Sequence, residues 1–229
     1  MFDQRTEYRS LFEQTQLKRV MNEGVRYYTE EGKDYAYPSV TSVISHINRD
    51  KFAGWRKRVG EEEANRVTKH ATTRGTRLHL LLEHYLQNDD ITGFDEYGVP
   101  LVNLMFHYVK PHLDKRLNNI YHQEEQMLSH KLCLAGTVDL ICEVDGELAI
   151  VDFKTSAKAK PEKWLEGYFV QLSAYWAMYA ENTGVVAKKL VVILVGENGD
   201  VQIVERRNPL DYLKTLRDYV SQFVEYHYG

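Results

Sequence analysis

The stretch LAGTVDLICEVDGELAIVDFKT, residues 134–155, decides the fold. At its centre is Asp145-Gly146, a dipeptide that accepts the positive φ angles of a two-residue hairpin turn. The apolar-rich runs on either side, 134–144 and 147–155, read as antiparallel strands. A turn at Asp145-Gly146 pairs Val144 with Glu147, Leu140 with Val151 and Asp139 with Asp152. Directly opposed residues hold their Cβ atoms about 4.5–5.5 Å apart, and like charges there repel. Lys154, two residues beyond Asp152, projects from the same face. The neighbouring pair on that face, Ile141 and Ile150, is apolar, which partly buries the carboxylates. In this register the two aspartates must share a proton or be neutralised by a cation.

A hard divalent cation, Mg²⁺ or Mn²⁺, suits carboxylate and carbonyl oxygens. Two carboxylates with a lysine describe a centre for phosphodiester hydrolysis, in which the lysine orients the attacking water and offsets developing charge. The pattern Asp/Glu-x-Lys alone arises about twice by chance in a chain like this. It occurs at Glu31-Gly32-Lys33, in a polar loop, and at Asp152-Phe153-Lys154, where it ends an apolar strand and faces another aspartate. Only the second has structural context.

Working outward, Tyr37-Pro38-Ser39 opens a short helix through about residue 48, a charged helix follows over 52–70, and leucines at helical spacing mark 76–87. A further helix covers 99–118, then the pattern switches to strands, beginning at 121–128. Residues 164–182 form a long amphipathic helix. Runs 189–195 and 201–206 make a second hairpin around Asn198-Gly199, and Asn208-Pro209 caps a final helix to about residue 225. These elements predict one α/β domain over 1–229. It comprises an N-terminal extension (1–36), a mostly helical part (37–118) and a core of a central mixed sheet flanked by helices (119–229).

Two further stretches now join the two that the hairpin carries. Gly136-Thr137-Val138-Asp139, Ile150-Val151-Asp152-Phe153-Lys154-Thr155 and Gln171-Leu172-Ser173-Ala174-Tyr175 follow Gly75-Thr76-Arg77-Leu78-His79 in the chain. In this order they resemble the GxxxH, GxxD, (I/V)DxKT and QLxxY motifs of the PD-(D/E)XK nuclease superfamily, in its RecB-type branch, whose fold is restriction-endonuclease-like. Tyr37-Pro38-Ser39-Val40-Thr41 and Trp55-Arg56-Lys57-Arg58 resemble the mitochondrial genome maintenance exonuclease group with its phage and bacterial relatives.

By that resemblance, Asp139, Asp152, His79 and the Phe153 carbonyl hold the metal, Lys154 is the catalytic lysine, and Gln171 and Tyr175 brace the site. The family's earlier acid maps loosely onto Glu125, or else Glu124. Ser39, Thr41, Trp55, Arg56, Lys57, Arg58, Arg74, Thr155, Lys158 and Lys160 are candidate DNA contacts. The implied activity is a Mg²⁺- or Mn²⁺-dependent DNA exonuclease acting on single strands or ends and leaving 5′-phosphates. The alternatives are an internally cutting or structure-specific endonuclease of the same chemistry, and a non-catalytic DNA-binding or recombination-partner module. Taken singly, His79 fits a hydrogen-bonded helix histidine, Gln171 and Tyr175 fit ordinary amphipathic positions, and Trp55 fits packing as well as base stacking.

The chain has 229 residues with 43% hydrophobic and 27% charged, as expected of a globular protein. Its longest apolar run, Leu190 to Val195, falls far short of the roughly 20 residues that span a bilayer. The start of the chain carries Asp3, Glu7, Glu13 and Glu23 and no apolar core of a signal peptide. Two cysteines are too few for the four-cysteine iron–sulfur cluster of some relatives and fit a reducing compartment. Neither a nucleotide-binding phosphate loop nor the helicase motor fused to some relatives is expected. The expected setting is therefore bacterial or phage-infected host cytoplasm, with DNA and a replication or recombination protein as partners and no membrane. Net charge is −4, yet residues 51–79 hold eight basic and three acidic side chains, a distribution that suits phosphates or a solvated helix face.

Overall fold

Six successive apolar residues, Leu190 to Val195, form a strand buried on both faces, and the rest of the chain is layered around it. The computed structural model describes residues 1–6 and 17–229. Its strands are β1 (Leu17–Asn22), β2 (Val25–Glu30), β3 (Ala36–Pro38), β4 (Leu117–Ser129), β5 (Leu134–Val144), β6 (Glu147–Ser156), β7 (Lys189–Gly196) and β8 (Val201–Arg206). Its helices are α1 (Val40–Val59), α2 (Glu61–Leu86), α3 (Pro100–Arg116), α4 (Glu166–Thr183) and α5 (Pro209–Tyr228).

A five-stranded sheet runs in the order β4-β5-β6-β7-β8, with β6 and β7 parallel and the other neighbours antiparallel. This is the mixed sheet flanked by helices that the sequence predicts. Side chains of β7 alternate between two cores. Leu190, Val192 and Leu194 meet α4, α5 and the start of α1, and Val191, Ile193 and Val195 meet α2 and α3. At the Asp145-Gly146 turn both residues take positive φ, 51° and 78°, and the ladder beside it has the expected register from Val144↔Glu147 to Leu140↔Val151. No helix among the described residues is long and apolar enough to cross a membrane.

Three expectations need correction. The N-terminal part is not purely helical: β1, β2 and β3 form an antiparallel three-stranded sheet, joined to the core by a bridge between Ser39 and Ala135. Helix α1 does not stop near residue 48, because no proline or glycine interrupts it there. It ends at Gly60, whose positive φ of 89° lies outside the helical region and whose N–H caps the Arg56 carbonyl. Helix α2 then runs unbroken through 71–75, where Gly75 leaves only van der Waals room for Thr155 of β6.

Gly136 has a packing reason to lack a side chain. A Cβ there would fall 2.6 Å from Cε1 of Tyr175, whose buried ring lies flat against β5 from α4. Gly136→Ala is expected to force α4 off the sheet and to cost about 1–3 kcal/mol of stability, read by urea unfolding. A loss below about 0.5 kcal/mol would mean that Tyr175 yields without resistance.

Candidate active site

The β5–β6 ladder ends at Leu140↔Val151, one pair before the two aspartates would meet. Beyond it β5 twists. Val138 and Leu140, two residues apart, pack into opposite cores, so the alternation of side chains breaks at Asp139. The Asp139 carboxylate turns into the opened gap and accepts the Phe153 N–H at 2.8 Å. In a strand the N–H and C=O of one residue face the same edge, so the Phe153 carbonyl lies toward the same gap. The expected face-to-face stacking of Asp139 on Asp152 is thus replaced by a carboxylate capping a freed backbone donor.

Asp152 and Lys154 remain on one face, as β periodicity requires. Lys154 donates to Asp152 Oδ1 at 2.5 Å, and its ammonium lies 5.2 Å from the Tyr168 ring centroid. Asp152 is 1% exposed, and its other oxygen, Oδ2, is buried without a hydrogen-bond partner among the described residues. Burial pushes the Asp152 carboxyl above the usual carboxylate range, with Lys154 opposing and Asp139 adding to the rise. For Lys154, burial pulls downward, but Asp152 and Asp139 outweigh it and hold the ammonium above its ordinary value.

From α2, His79 brings Nδ1 to 3.6 Å from Asp139 Oδ2 and sets its ring edge-on to Phe153. The third member of this group is Glu124. Ligand atoms of His79, Glu124 and Asp139 all lie within 4.8 Å of one another, and His79 and Glu124 line an open cleft of about 410 Å³ together with Gly75, Thr76 and Glu83. Loss of water in the cleft, then the charges of Asp139 and Glu83, push Glu124 up to about 7. Two carboxylates so close, one with a raised pKa, beside an orphaned buried carboxylate oxygen, make a donor set that fits a hard divalent cation.

Glu125 lies outside this group, paired instead with His122 at 3.2 Å. Glu124 takes its place for a reason the sequence carries. The short turn after β4 sets Ser129 opposite Leu134, and the flanking pairs Gln123↔Leu140 and Glu125↔Val138 leave Glu124 opposite Asp139. The sequence reading offers Glu124 as the alternative to Glu125, and counting the register back one strand further selects it. Sequence reasoning missed Arg19 of β1, which donates to the Thr137 hydroxyl at 2.9 Å and whose charge opposes the rise at Glu124.

The other candidates scatter. Gln171 and Tyr175 lie one helical turn apart and share a 3.2 Å hydrogen bond behind the site. Ser39 is 1% exposed and caps α1 by accepting from the Ser42 N–H, so it is a helix cap rather than a surface contact. Thr41 lies in the first turn of that helix, bonded to Ser39 at 3.0 Å. Arg74 is nearly buried in an ion pair with Glu197, which ties α2 to the β7–β8 turn. Arg56 is held by Glu61 and, at 2.6 Å, by Asn65, while half-buried Trp55 packs on Phe52. Lys57, Arg58 and Lys158 are exposed, Thr155 is half-buried, and Lys160 bonds the Tyr168 hydroxyl at 3.0 Å.

A mixed sheet that forks to gather carboxylates, a histidine and a half-buried lysine is the architecture of a PD-(D/E)XK nuclease. The family model described as the PD-(D/E)XK nuclease superfamily matches residues 51–226, and the chain belongs to that superfamily. Human mitochondrial genome maintenance exonuclease 1 is 26% identical over 132 residues, covering 54% of this chain and 38% of that protein. The mouse protein of the same name is 24% identical over 135 residues, with the same coverage. The match therefore spans 38% of the length of these two relatives. The crystal structure of SSO0001 aligns over 88% of this chain and 79% of that chain, with 16% identity and a TM-score of 0.43.

Glu124→Gln is expected to weaken Mn²⁺ binding about tenfold or more, measured by titration calorimetry, while Glu125→Gln leaves it unchanged. Equal effects of the two substitutions would remove Glu124 from the site.

Proposed function

We propose that this chain is a metal-dependent DNA exonuclease that hydrolyses phosphodiester bonds in single strands or at ends, leaving 5′-phosphate and 3′-hydroxyl products. One observation carries the reading. The His79, Glu124 and Asp139 ligand atoms converge beside the Asp152–Lys154 pair, and His79 and Glu124 open onto a cleft. Mg²⁺ or Mn²⁺ would be held by His79, Asp139, Glu124, the free oxygen of Asp152 and the Phe153 carbonyl. Bound there, the cation supplies a Lewis acid for the phosphodiester and acidity for the attacking water.

The chain's own groups divide the remaining work. Lys154 keeps its proton, because two carboxylates outweigh its burial, so it acts as a fixed positive charge and hydrogen-bond donor rather than as a base. Asp152 aims it. Tyr175 and Gln171 back the strand that carries Asp139, with the Tyr175 ring filling the space over Gly136. Arg19 stands beside Thr137, near enough for its charge to act on Glu124, and would meet a phosphate oxygen there. That the reaction is exonucleolytic is supported by the names of the relatives and by no residue of the site.

The test is purified protein with end-labelled single-stranded DNA and a closed circular DNA, in Mg²⁺, Mn²⁺ or EDTA. The labelled strand is expected to be degraded only with metal, and the circle to stay intact. Lys154→Ala should lower the rate by about 100-fold or more with its circular dichroism spectrum unchanged. Cutting of the circle would make the enzyme an endonuclease. DNA binding without any cutting would leave a binding module.

A further inference from the structure

Besides the metal cleft there is a second recess, and Lys154 borders it. A groove of about 1010 Å³ runs from Lys154 between the β1–β2 hairpin and α1 to the C-terminal turn of α5. Its far wall is a knot of cationic and aromatic groups. The Arg49 guanidinium lies 4.5 Å from the Tyr226 ring centroid and donates to the His46 ring, and among the described residues its one carboxylate partner is the exposed Asp50 at 3.6 Å. The rings of His46 and His227 are 5.1 Å apart, and the Nε2 atom of His227 is buried with no hydrogen-bond partner among the described residues. Burial, then the charges of Arg49 and His227, hold His46 below its usual range, with Asp50 opposing.

Across the groove, Arg26 stands exposed on the hairpin, and among the described residues no carboxylate pairs with it. Glu23 is the acidic side chain lining the recess, against Lys154, Arg26 and Arg49. Lys154 is already paired with Asp152, so Arg26 and Arg49 are the cations that this recess offers a ligand, against Glu23, on a chain whose net charge is −4. Tyr226 keeps 63% of its surface exposed at the rim, an amphipathic ring with an open flank.

We infer that this groove carries the DNA strand away from the cleavage centre, with Arg26 and Arg49 neutralising successive backbone phosphates and Tyr226 stacking on a base. The inference rests on the nuclease reading for its ligand but on separate residues for its site. Phosphate contacts and an aromatic platform are the two elements of sequence-tolerant single-strand binding. The knot at α5 also explains why the last helical turn, remote from every motif, is folded back onto α1.

The test measures anisotropy of a labelled 25-nucleotide single strand in EDTA across a KCl series, for wild type, Arg26→Gln, Arg49→Gln, the double variant and Arg49→Lys. Each lost phosphate contact should flatten the slope of log K against log salt by about 0.7, so the double variant by about 1.4. Arg49→Lys should keep the wild-type slope, and Tyr226→Leu should weaken binding without changing it. In metal, the double variant should raise KM with kcat within twofold. Unchanged slopes in a wild type that cuts DNA would overturn the groove and leave the nuclease standing. Flattened slopes in a chain that never cuts would support the groove and sink the nuclease. If Arg49→Lys behaves as Arg49→Gln, Arg49 holds α1 to α5 and the phosphate role falls.

Discussion

The site depends on where the ladder between β5 and β6 stops. Had pairing continued, Asp139 and Asp152 would face each other a few ångströms apart in a sheet buried on both sides, which electrostatics penalises. Had the strands simply parted, the Phe153 N–H would be left without a partner in the interior. Turning Asp139 into the gap answers both problems, since its carboxylate satisfies that N–H and leaves the face of Asp152. The turn is visible as the break in alternation between Val138 and Leu140. One local exchange thereby exposes a carboxylate, a carbonyl edge and a buried aspartate to the same space, which α2 closes with His79.

The Asp152–Lys154 pair is not explained by stability. A buried ion pair loses about as much in desolvation as it gains in attraction, and well-packed apolar residues often serve as well. Here the neighbouring positions of β6, Ile150 and Val151, show that the strand accommodates apolar side chains without difficulty. Retaining a charged pair at the point where the sheet forks, with one Asp152 oxygen left unsatisfied, is intelligible if that oxygen has a partner the chain itself does not supply.

Much of this was legible in the sequence because it was local. Asp145-Gly146 specifies its turn through two positive φ angles, and from that turn the β5–β6 register follows by counting. The apolar run of β7 and the cap at Ser39 are likewise local signals. What the sequence hid was non-local. In the β1–β2–β3 sheet, β1 carries no alternation because it is exposed on both faces, and the sheet is held by distant residues of β5. Arg74 and Arg56 read as free cations until Glu197 and Glu61 are brought beside them. Glu124 was within reach of the same counting that gave the hairpin, but the turn before β5 lacks a glycine pair to announce it.

The hidden hairpin and the visible motif are one mechanical unit. A two-stranded ribbon is marginally stable by itself, and this one is fastened through Tyr28, which is buried and bonds the Thr137 hydroxyl at 3.1 Å, and through the bridge from Ser39 to Ala135. Both anchors flank Gly136, where the Tyr175 ring presses from the opposite face. The strand 134–139 is therefore clamped from two sides just before it delivers Asp139. The same ribbon that is held there presents Arg19 toward the metal cleft and Arg26 toward the groove beyond Lys154. Displacing the ribbon would move both arginines and the Asp139 backbone together, so substrate contacts and the donor set share one support. That coupling gives a physical reason for a family motif to begin three residues before its acid rather than at it.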